Sequence, residues 1–460
     1  MKKAFSAAAL KTIVLLAWPT VLEQILQTAV QYVDTAMVGS IGAAATAAVG
    51  ATTTINWLVN SSISALSIGF LAYISRALGA KERENARRAT AQACMVTLIV
   101  GIFFTILSLS LSRVIPRWMN AAPDILDDAS TYFFILYAPM LFRTANIIFG
   151  TCLRAAGDTK TPLRVNILVN IVNIVLNYLL IYPSHPVRIF SLEIMVPGAG
   201  MGVAGAAIAS AVSFAVGGAG MTLSVLKHPL ISPKGCTMRP DGKILRPCLK
   251  VALPCALQRF GTSFGYVAFA SMINDLGTIA TAAHSIANTA ESAFYIPGYG
   301  MQTATATLAG NALGAKDKKR MRDLTRMILV VETAMMIVSG GLLFAFAPNM
   351  MGLFSSSAEV ILLGATVLRM VAVSEPFYGV SIVIEGLMQG VGKTVTPFVY
   401  NIIGMWGVRI VGTFICTQLL GMGLVSAWAC MISHNLLLFV LFVIHYFSGK
   451  WNPLNQAQEA

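Results

Sequence analysis

Long apolar segments follow one another along almost the whole chain, from Ile13 to Phe447, with only short polar stretches between them. The sequence is 56% hydrophobic and only 11% charged, whereas about a quarter of the residues of a soluble domain are charged. About 20 apolar residues can cross the hydrocarbon core as a helix, which satisfies its own backbone hydrogen bonds in lipid. We therefore predict an all-α membrane protein with twelve transmembrane helices. The spans are expected at roughly 12–38, 45–75, 89–111, 128–153, 163–183, 200–226, 249–273, 279–312, 327–346, 358–388, 395–420 and 422–447.

The formal net charge of +13 does not indicate nucleic-acid binding, because the basic residues follow a membrane topology. If the N-terminus is cytoplasmic, about 25 of the 32 Lys and Arg residues fall on the inner side and about three on the outer side. Cytoplasmic segments of membrane proteins carry such an excess of positive charge. We predict a multi-pass protein of the plasma (inner) membrane with both termini in the cytoplasm and no nucleic-acid partner.

The second half of the sequence repeats the first at a constant offset of 235 residues, as between Gly42 and Gly277. Further matching blocks are Trp18-Pro19 with Leu253-Pro254, Thr46–Ala48 with Thr281–Ala283, Ala77–Lys81 with Ala312–Lys316, and Gly157, Thr159, Pro162 and Asn166 with Gly392, Thr394, Pro397 and Asn401. Each half then has six spans of equal orientation, an arrangement found in secondary transporters with parallel repeats.

We predict from this repeat two pseudo-symmetric six-helix lobes around a central cleft. The lobes are expected at residues 1–227 and 247–448, with a cytoplasmic linker at 228–246 and a cytoplasmic tail at 449–460. Transporters of this build hold the substrate between their lobes and alternate access by moving them. The alternative is a duplicated scaffold that does not transport.

The first span contains ionisable residues, which are costly in a membrane and therefore candidates for function. Glu23 and Asp34 are 11 residues apart, about 1100° of helix rotation, so they share a face within about 20°. Gln27 lies on that face and Gln31 beside it, and Pro19 removes one backbone hydrogen bond and permits a bend. Asp34 is the main candidate for a proton or cation site, because burial favours a protonated carboxyl group. The alternative is a carboxylate that is only hydrogen-bonded inside the bundle.

Four amides follow one another in the fifth span at spacings of 4, 3 and 4 residues, at Asn166, Asn170, Asn173 and Asn177. This rhythm places them on one helix face, with Tyr178 adjacent. We expect Tyr178, like Glu23, Gln27 and Gln31 of the first span, to be a candidate for the substrate cleft. Either they hold helices together by interhelical hydrogen bonds, or they orient Asp34 and solvate a bound cation. In the second half, Glu291 and Glu375 are candidates for the substrate cleft, and Glu332 and Glu385 are further intramembrane carboxylates.

No Walker loop, metal-spaced His/Cys cluster or nucleophile elbow is present in the sequence. We therefore predict a protein that is not an enzyme and has no cofactor, so that uphill transport would depend on a gradient of H⁺ or Na⁺. The expected partners are small organic substrates and the lipid bilayer, and the expected state is a monomer.

Several motifs together resemble the multidrug and toxic compound extrusion (MATE) family over essentially the whole chain. They are Ala17-Trp18-Pro19, the run Gln31–Gly39, Leu78-Gly79-Ala80, Leu153–Pro162, Asn173–Tyr178, Ala282-Ala283-His284, Pro297 and Leu308–Gly314. The resemblance implies export of organic, often cationic, compounds in exchange for H⁺ or Na⁺. It also implies that Asp34 is the first-helix aspartate that binds the coupling ion, that Asn173 and Asn177 are its fifth-helix partners, and that Pro19 is the bending proline.

The sequence departs from the family pattern at several positions. Some members have an aspartate at the position of Asn177, and members with a coupling site in the second lobe carry a seventh-helix glutamate. Gln258, Arg259 and Thr262 occupy that region here, which keeps Gln258 as a cleft candidate and places coupling, with a possible Na⁺ at Asp34, in the first lobe.

Three other functions fit the sequence less well than drug efflux. A lipid-linked oligosaccharide or polysaccharide flippase of the same superfamily usually has a more cationic cleft than this chain would provide. A membrane-embedded enzyme would need a clustered acid/base or metal site at one membrane face. A channel would not need two bistable lobes.

Overall fold

A computed structural model describes residues 7–118, 123, 125–189 and 192–456. Lys2, Lys3 and the last four residues of the predicted tail lie outside the described residues. The helices of the first half are α1 (Ala7–Gly39), α2 (Ala43–Gly79), α3 (Arg83–Ser110), α4 (Val114–Trp118), α5 (Leu126–Tyr137), α6 (Met140–Ala155), α7 (Lys160–Ile181) and α8 (Gly202–Lys227). Those of the second half are α9 (Gly242–Asn274), α10 (Thr278–Gly314), α11 (Lys318–Gly352), α12 (Ala358–Gly390), α13 (Val395–Leu419), α14 (Leu424–Phe447) and the short α15 (Pro453–Gln456).

The helix boundaries reproduce the repeat that the sequence predicts. Helices α1 and α9 begin and end 235 residues apart, and so do α2 and α10. Helices α3 and α11 begin at the same offset, as do α7 and α13. The turns between the helices also recur, since Gly42 and Gly277 both have a positive φ, and so do Lys81 and Lys316.

Nine helices in the described part of the chain are long and apolar enough to cross a membrane, and the bent pair α5–α6 makes a tenth. Helices α9 and α10 are also long, at 33 and 37 residues. They are less apolar, because α9 begins with several basic residues and α10 is rich in Ala, Gly and Thr. As repeat counterparts of α1 and α2, they complete the six spans expected in each half.

Two features depart from regular α-helix. Helix α13 contains two π-helical segments, Ile403–Ile410 and Ile415–Leu419, of which the first carries the buried Arg409. Between α7 and α8, strands β1 (Pro183–Ile189) and β2 (Leu192–Ala199) form an antiparallel hairpin with Val187 opposite Ile194. We did not predict this hairpin from the sequence, because the twelve long apolar spans dominate its hydropathy pattern.

The described residues form two compact units. Within the described residues, the C-terminal unit contains 7–24, Leu71–Glu82 and 246–456, and the N-terminal unit contains Ile25–Phe70 and the described part of 83–245. The units therefore differ from the sequence halves, since the first part of α1 and the last part of α2 group with the second half. The lobe boundaries inferred from the repeat remain a prediction.

Small residues explain why these two helix segments group with the C-terminal unit. A side chain at Gly300 of α10 would come 2.6 Å from the backbone nitrogen of Val21 in α1. Gly310 lies against Ser75, and Gly314 lies against the backbone carbonyl of Arg76 in α2. Glycines allow helix backbones to approach this closely in membranes, and Ile13 and Ala17 complete the contact by packing with Met301 and Ala304.

We predict that Gly300→Ala destabilises the protein by about 1–3 kcal/mol, because the added methyl group overpacks the contact with α1. Gly341→Ala is the matched control, since nothing lies within 4 Å of a side chain placed there. Alanine favours helix over glycine by about 1 kcal/mol, so the control should be neutral or stabilising. Thermal unfolding of the purified variants measures both, and an equal loss of stability in both would contradict this account of the contact.

Candidate functional site

Asp34 lies in a polar group of the N-terminal unit, where its carboxylate accepts a hydrogen bond from the α7 amide of Asn177. Asn177 Nδ2 is 2.6 Å from Asp34 Oδ1 and 3.2 Å from Asn173 Oδ1. Asn173 Nδ2 in turn lies 3.4 Å from the hydroxyl oxygen of Ser210 in α8. The two amides are buried and Asp34 is half-buried. The structure thus brings together the three residues predicted for cation coupling.

One oxygen in this group has no partner. The Oδ1 atom of Asn177 is buried and accepts no hydrogen bond among the described residues. Unsatisfied buried oxygens are rare in folded proteins. A carboxylate oxygen and an unpartnered amide oxygen on neighbouring helices are suitable ligands for a hard cation such as Na⁺.

The other two amides of the α7 stripe have different surroundings. Asn166 Oδ1 accepts a hydrogen bond of 3.3 Å from Asn146 of α6. The buried Nδ2 of Asn170 has no hydrogen-bond partner in the part of the chain that the structure describes. The same helix face therefore includes interhelical hydrogen bonds and the contact with Asp34, and a role in solvating a cation stays a prediction.

Arg143 is a buried cation near this group that the sequence could not assign to a partner. Its Nη1 atom donates a hydrogen bond of 2.5 Å to Asn56 Oδ1, and its guanidinium lies 4.8 Å from the ring centroid of Phe214. The Tyr132 hydroxyl is within electrostatic reach of both the Asp34 carboxylate and Arg143. In the sequence, Arg143 stood out only by its position inside a span. Its neighbours could not be identified, because Asn56 and Tyr132 lie on other helices and follow no sequence pattern.

The remaining candidates of α1 and α7 differ in burial and in the unit to which they belong. Glu23 is buried and belongs to the C-terminal unit, whereas Asp34 belongs to the N-terminal unit. Gln27 and Gln31 are exposed. The Tyr178 ring packs edge-to-face on Tyr182, 5.9 Å between centroids.

Pro19 lies inside the continuous helix α1, five residues before the point where α1 passes from one unit to the other. Its neighbour Thr20 donates a hydrogen bond to Ala17 O or to Gly300 O of α10, at 2.8 and 2.9 Å. Pro19 cannot donate its own backbone hydrogen bond. The segment of α1 around Pro19 is thus tied to α10 within the C-terminal unit, and the hinge at Pro19 stays a prediction.

In the C-terminal unit, Gln258 contacts Glu385 of α12. Glu385 Oε1 accepts hydrogen bonds from Gln258 Nε2 at 3.0 Å and Gln389 Nε2 at 3.1 Å, and its Oε2 accepts one from Asn401 Nδ2 at 3.2 Å. Three helices therefore meet at one carboxylate. The sequence indicated Gln258 and Glu385 as separate candidates, and their contact could not be predicted because they are 127 residues apart.

Glu291 and Glu375 lie in a second acidic group with Glu332. Both carboxylate oxygens of Glu332 and one of Glu375 are buried without a hydrogen-bond partner among the described residues. Glu332 Oε1 fits against two glycines, since side chains at Gly298 and Gly379 would come within 2.9 and 3.0 Å of it. Glu375 is within electrostatic reach of both Glu291 and Glu332.

The buried Arg409 provides a positive charge near Glu291, with its guanidinium 4.1 Å from the ring centroid of Phe269. Phe269 is the repeat counterpart of Asp34, and Glu291 is the counterpart of Asn56, which pairs with Arg143 in the first half. The two repeats therefore share their backbone plan and differ in where they place acidic groups.

We predict that Glu385→Gln lowers the free energy of unfolding by about 1–3 kcal/mol, because the new NH₂ group faces a hydrogen-bond donor instead of accepting from it. Glu359→Gln, at an exposed position in the first turn of the same helix, is the matched control. The control should lower the free energy of unfolding by only about 0.5 kcal/mol, because it removes a negative charge that interacts favourably with the helix dipole. Thermal unfolding compares the two, and an equal shift would exclude Glu385 as the centre of a hydrogen-bonded group.

Comparison with known proteins identifies the family. The MatE family model matches residues 19–179 and again residues 254–415, so its two copies start at the offset of the internal repeat. The chain is 26% identical over 441 residues to a protein of Thermotoga maritima named "Probable multidrug resistance protein NorM", covering 96% of this chain and 93% of that protein.

Solved structures share the fold. A structure titled "Crystal structure of MATE in the bent conformation" superposes with a TM-score of 0.87 at 21% identity, covering 98% of this chain and 97% of the other. A transporter of the MOP superfamily from Pyrococcus furiosus, whose title reports reverse polarity of its binding pocket, has a TM-score of 0.87 at 22% identity and coverage of 97% and 96%. These findings confirm two predictions. The chain is an all-helical, multi-pass membrane protein, and it is a transporter and not an enzyme. The chain belongs to the MatE family of membrane transporters.

Proposed function

We propose that this protein is a multidrug efflux antiporter that exports organic, often cationic, compounds in exchange for H⁺ or Na⁺. The observation that carries the proposal is the contact between Asp34 and Asn177, 2.6 Å between Oδ1 and Nδ2. A half-buried carboxylate in a membrane span is a site whose charge can be changed by an ion. The similarity to a protein named for multidrug resistance supports the efflux function.

The two candidate ions would change this contact differently. A proton on Asp34 removes the negative charge, so the hydrogen bond from Asn177 loses its charge assistance and weakens. A sodium ion would leave the carboxylate ionised and bind the Asp34 oxygen together with the unpartnered Asn177 Oδ1. In both cases the ion drives transport only through different affinities for two states of the protein.

Helix α1 provides a physical connection between this site and the rest of the protein. Asp34 follows Pro19 in one helix, and the segment around Pro19 is tied to α10 by Thr20. Loss of the Asp34–Asn177 contact would free the outer part of α1 to move about the proline. The substrate would leave to the outside when the ion binds. The ion would be released inside after the two halves have moved and the site is accessible from the cytoplasm.

The remaining features of the proposal follow from the sequence. The protein would lie in the inner membrane with both termini in the cytoplasm, as the distribution of basic residues favours. It would act as a monomer and need no cofactor besides the coupling ion.

We predict that Asp34→Asn folds normally and loses at least about 90% of gradient-driven efflux, since a neutral amide neither takes up a proton nor binds a cation through a charge. The measurement is dye efflux from proteoliposomes under an imposed pH gradient and, separately, under a sodium gradient. The gradient that drives the wild-type protein identifies the ion.

Asp128→Asn is the control for this prediction, because Asp128 is an exposed carboxylate of the same unit. It should retain efflux within about twofold of the wild-type rate. Wild-type efflux in Asp34→Asn would exclude Asp34 as the coupling site. No dye efflux by the wild-type protein under either gradient, with a defect in envelope synthesis in cells lacking it, would favour a flippase.

A further inference from the structure

A cavity of about 190 Å³ lies between the beginning of α11 and the segment that follows α14, within the C-terminal unit. Lys318, Arg322, Arg326, Tyr446, Phe447, Gly449, Trp451, Asn452 and Asn455 line it. We call this cavity the basic pocket. At about 30 Å³ per water molecule, it has room for a phosphate group and a few attached atoms.

Three basic residues form one wall of the basic pocket. Lys318, Arg322 and Arg326 follow one another at intervals of four residues at the start of α11, so they share one face of the helix. In the described part of the chain, no carboxylate forms an ion pair with Arg322 or Arg326. Asp323 is adjacent in sequence but does not line the cavity. The wall therefore offers positive charge to a ligand from outside the chain.

The opposite wall is a rigid structure. The Trp451 ring stacks on Tyr446, 5.6 Å between centroids, and Trp451 Nε1 donates a hydrogen bond of 2.9 Å to the Tyr446 carbonyl. Asn455 Nδ2 donates one of 3.1 Å to the carbonyl of Gly449, whose φ of +70° is a conformation that glycine adopts without strain. The wall is thus held in place without the help of a ligand.

One polar atom of this wall is left for a ligand. The Oδ1 atom of Asn455 is buried and accepts no hydrogen bond among the described residues. A buried acceptor of this kind needs a donor. A phosphate ester that also carries a hydroxyl group would satisfy both the basic wall and this oxygen.

The surroundings of the basic pocket favour a lipid over a soluble ligand. Phe447 lines the pocket and is 80% exposed, and Ile444 one turn earlier in α14 is 63% exposed. In a membrane-spanning helix, exposed apolar side chains face acyl chains, and aromatic residues mark the level of the headgroups. A headgroup in the pocket would place its acyl chains along the apolar surface of α14.

We propose that the basic pocket binds the headgroup of an anionic phospholipid, with the phosphate on Arg322 and Arg326 and a headgroup hydroxyl on Asn455 Oδ1. Basic pockets at membrane surfaces recognise anionic lipids in this way. The proposal assigns a ligand to basic residues that were so far explained only by the positive charge of cytoplasmic segments. It does not depend on the coupling ion or on the transported compound.

The test is native mass spectrometry of the purified full-length protein titrated with phosphatidylglycerol. Two basic residues near a membrane surface contribute enough attraction that Arg322→Gln/Arg326→Gln should bind this lipid about 30-fold more weakly. The matched control is Lys319→Gln/Arg320→Gln, which removes the same charge from exposed residues of the same helix turn that do not line the pocket. The control should bind within about twofold of the wild-type affinity.

Three results would overturn the proposal. Equal weakening in both double variants would mean unspecific attraction to a basic surface, and equal binding of phosphatidylcholine would mean that no anionic headgroup is recognised. Binding of inorganic phosphate that depends on Arg322 and Arg326, without binding of phosphatidylglycerol, would mean a soluble phosphate ligand. Thermal unfolding of each variant without lipid separates loss of binding from loss of folding.

Discussion

The structure depends on one constraint of the membrane: polar groups inside it find their hydrogen-bond partners within the protein, because lipid offers none. Asp34 meets this constraint through Asn177, and Glu385 through three amides from three helices. Glu332, whose carboxylate oxygens have no hydrogen-bond partner among the described residues, does not meet it. Buried polar groups that are left unsatisfied are costly, so the exceptions in such a bundle are the positions at which to look for ions and protons.

The same constraint explains how two repeats with one backbone plan perform different chemistry. The helices of both halves share their boundaries because capping glycines and prolines recur at one offset. The polar side chains of the candidate site do not recur: Asp34 corresponds to Phe269, and Asn177 corresponds to Gly412. The two halves therefore keep the plan of their helices, whereas the polar groups of the candidate site differ between them.

Much of the candidate site could be anticipated from helical periodicity. The spacing of Asn173 and Asn177 places them on one face of α7, and the structure seats that face against Asp34. The partners that complete the surroundings, Ser210, Tyr132 and Asn56, come from three other helices. No periodicity within one helix specifies which neighbour it meets, so these residues required the tertiary structure.

The sequence by itself determined the membrane class, the twelve-helix plan, the repeat and the candidate carboxylate, because hydropathy and helical spacing are local properties of the chain. Only the tertiary structure decided that the start of α1 and the end of α2 pack on α10, that Gln258 meets Glu385, and that Arg322 and Arg326 face a cavity beside Trp451. These contacts join residues far apart in sequence, and their energies depend on close packing and hydrogen-bond geometry between helices, which a linear pattern does not contain.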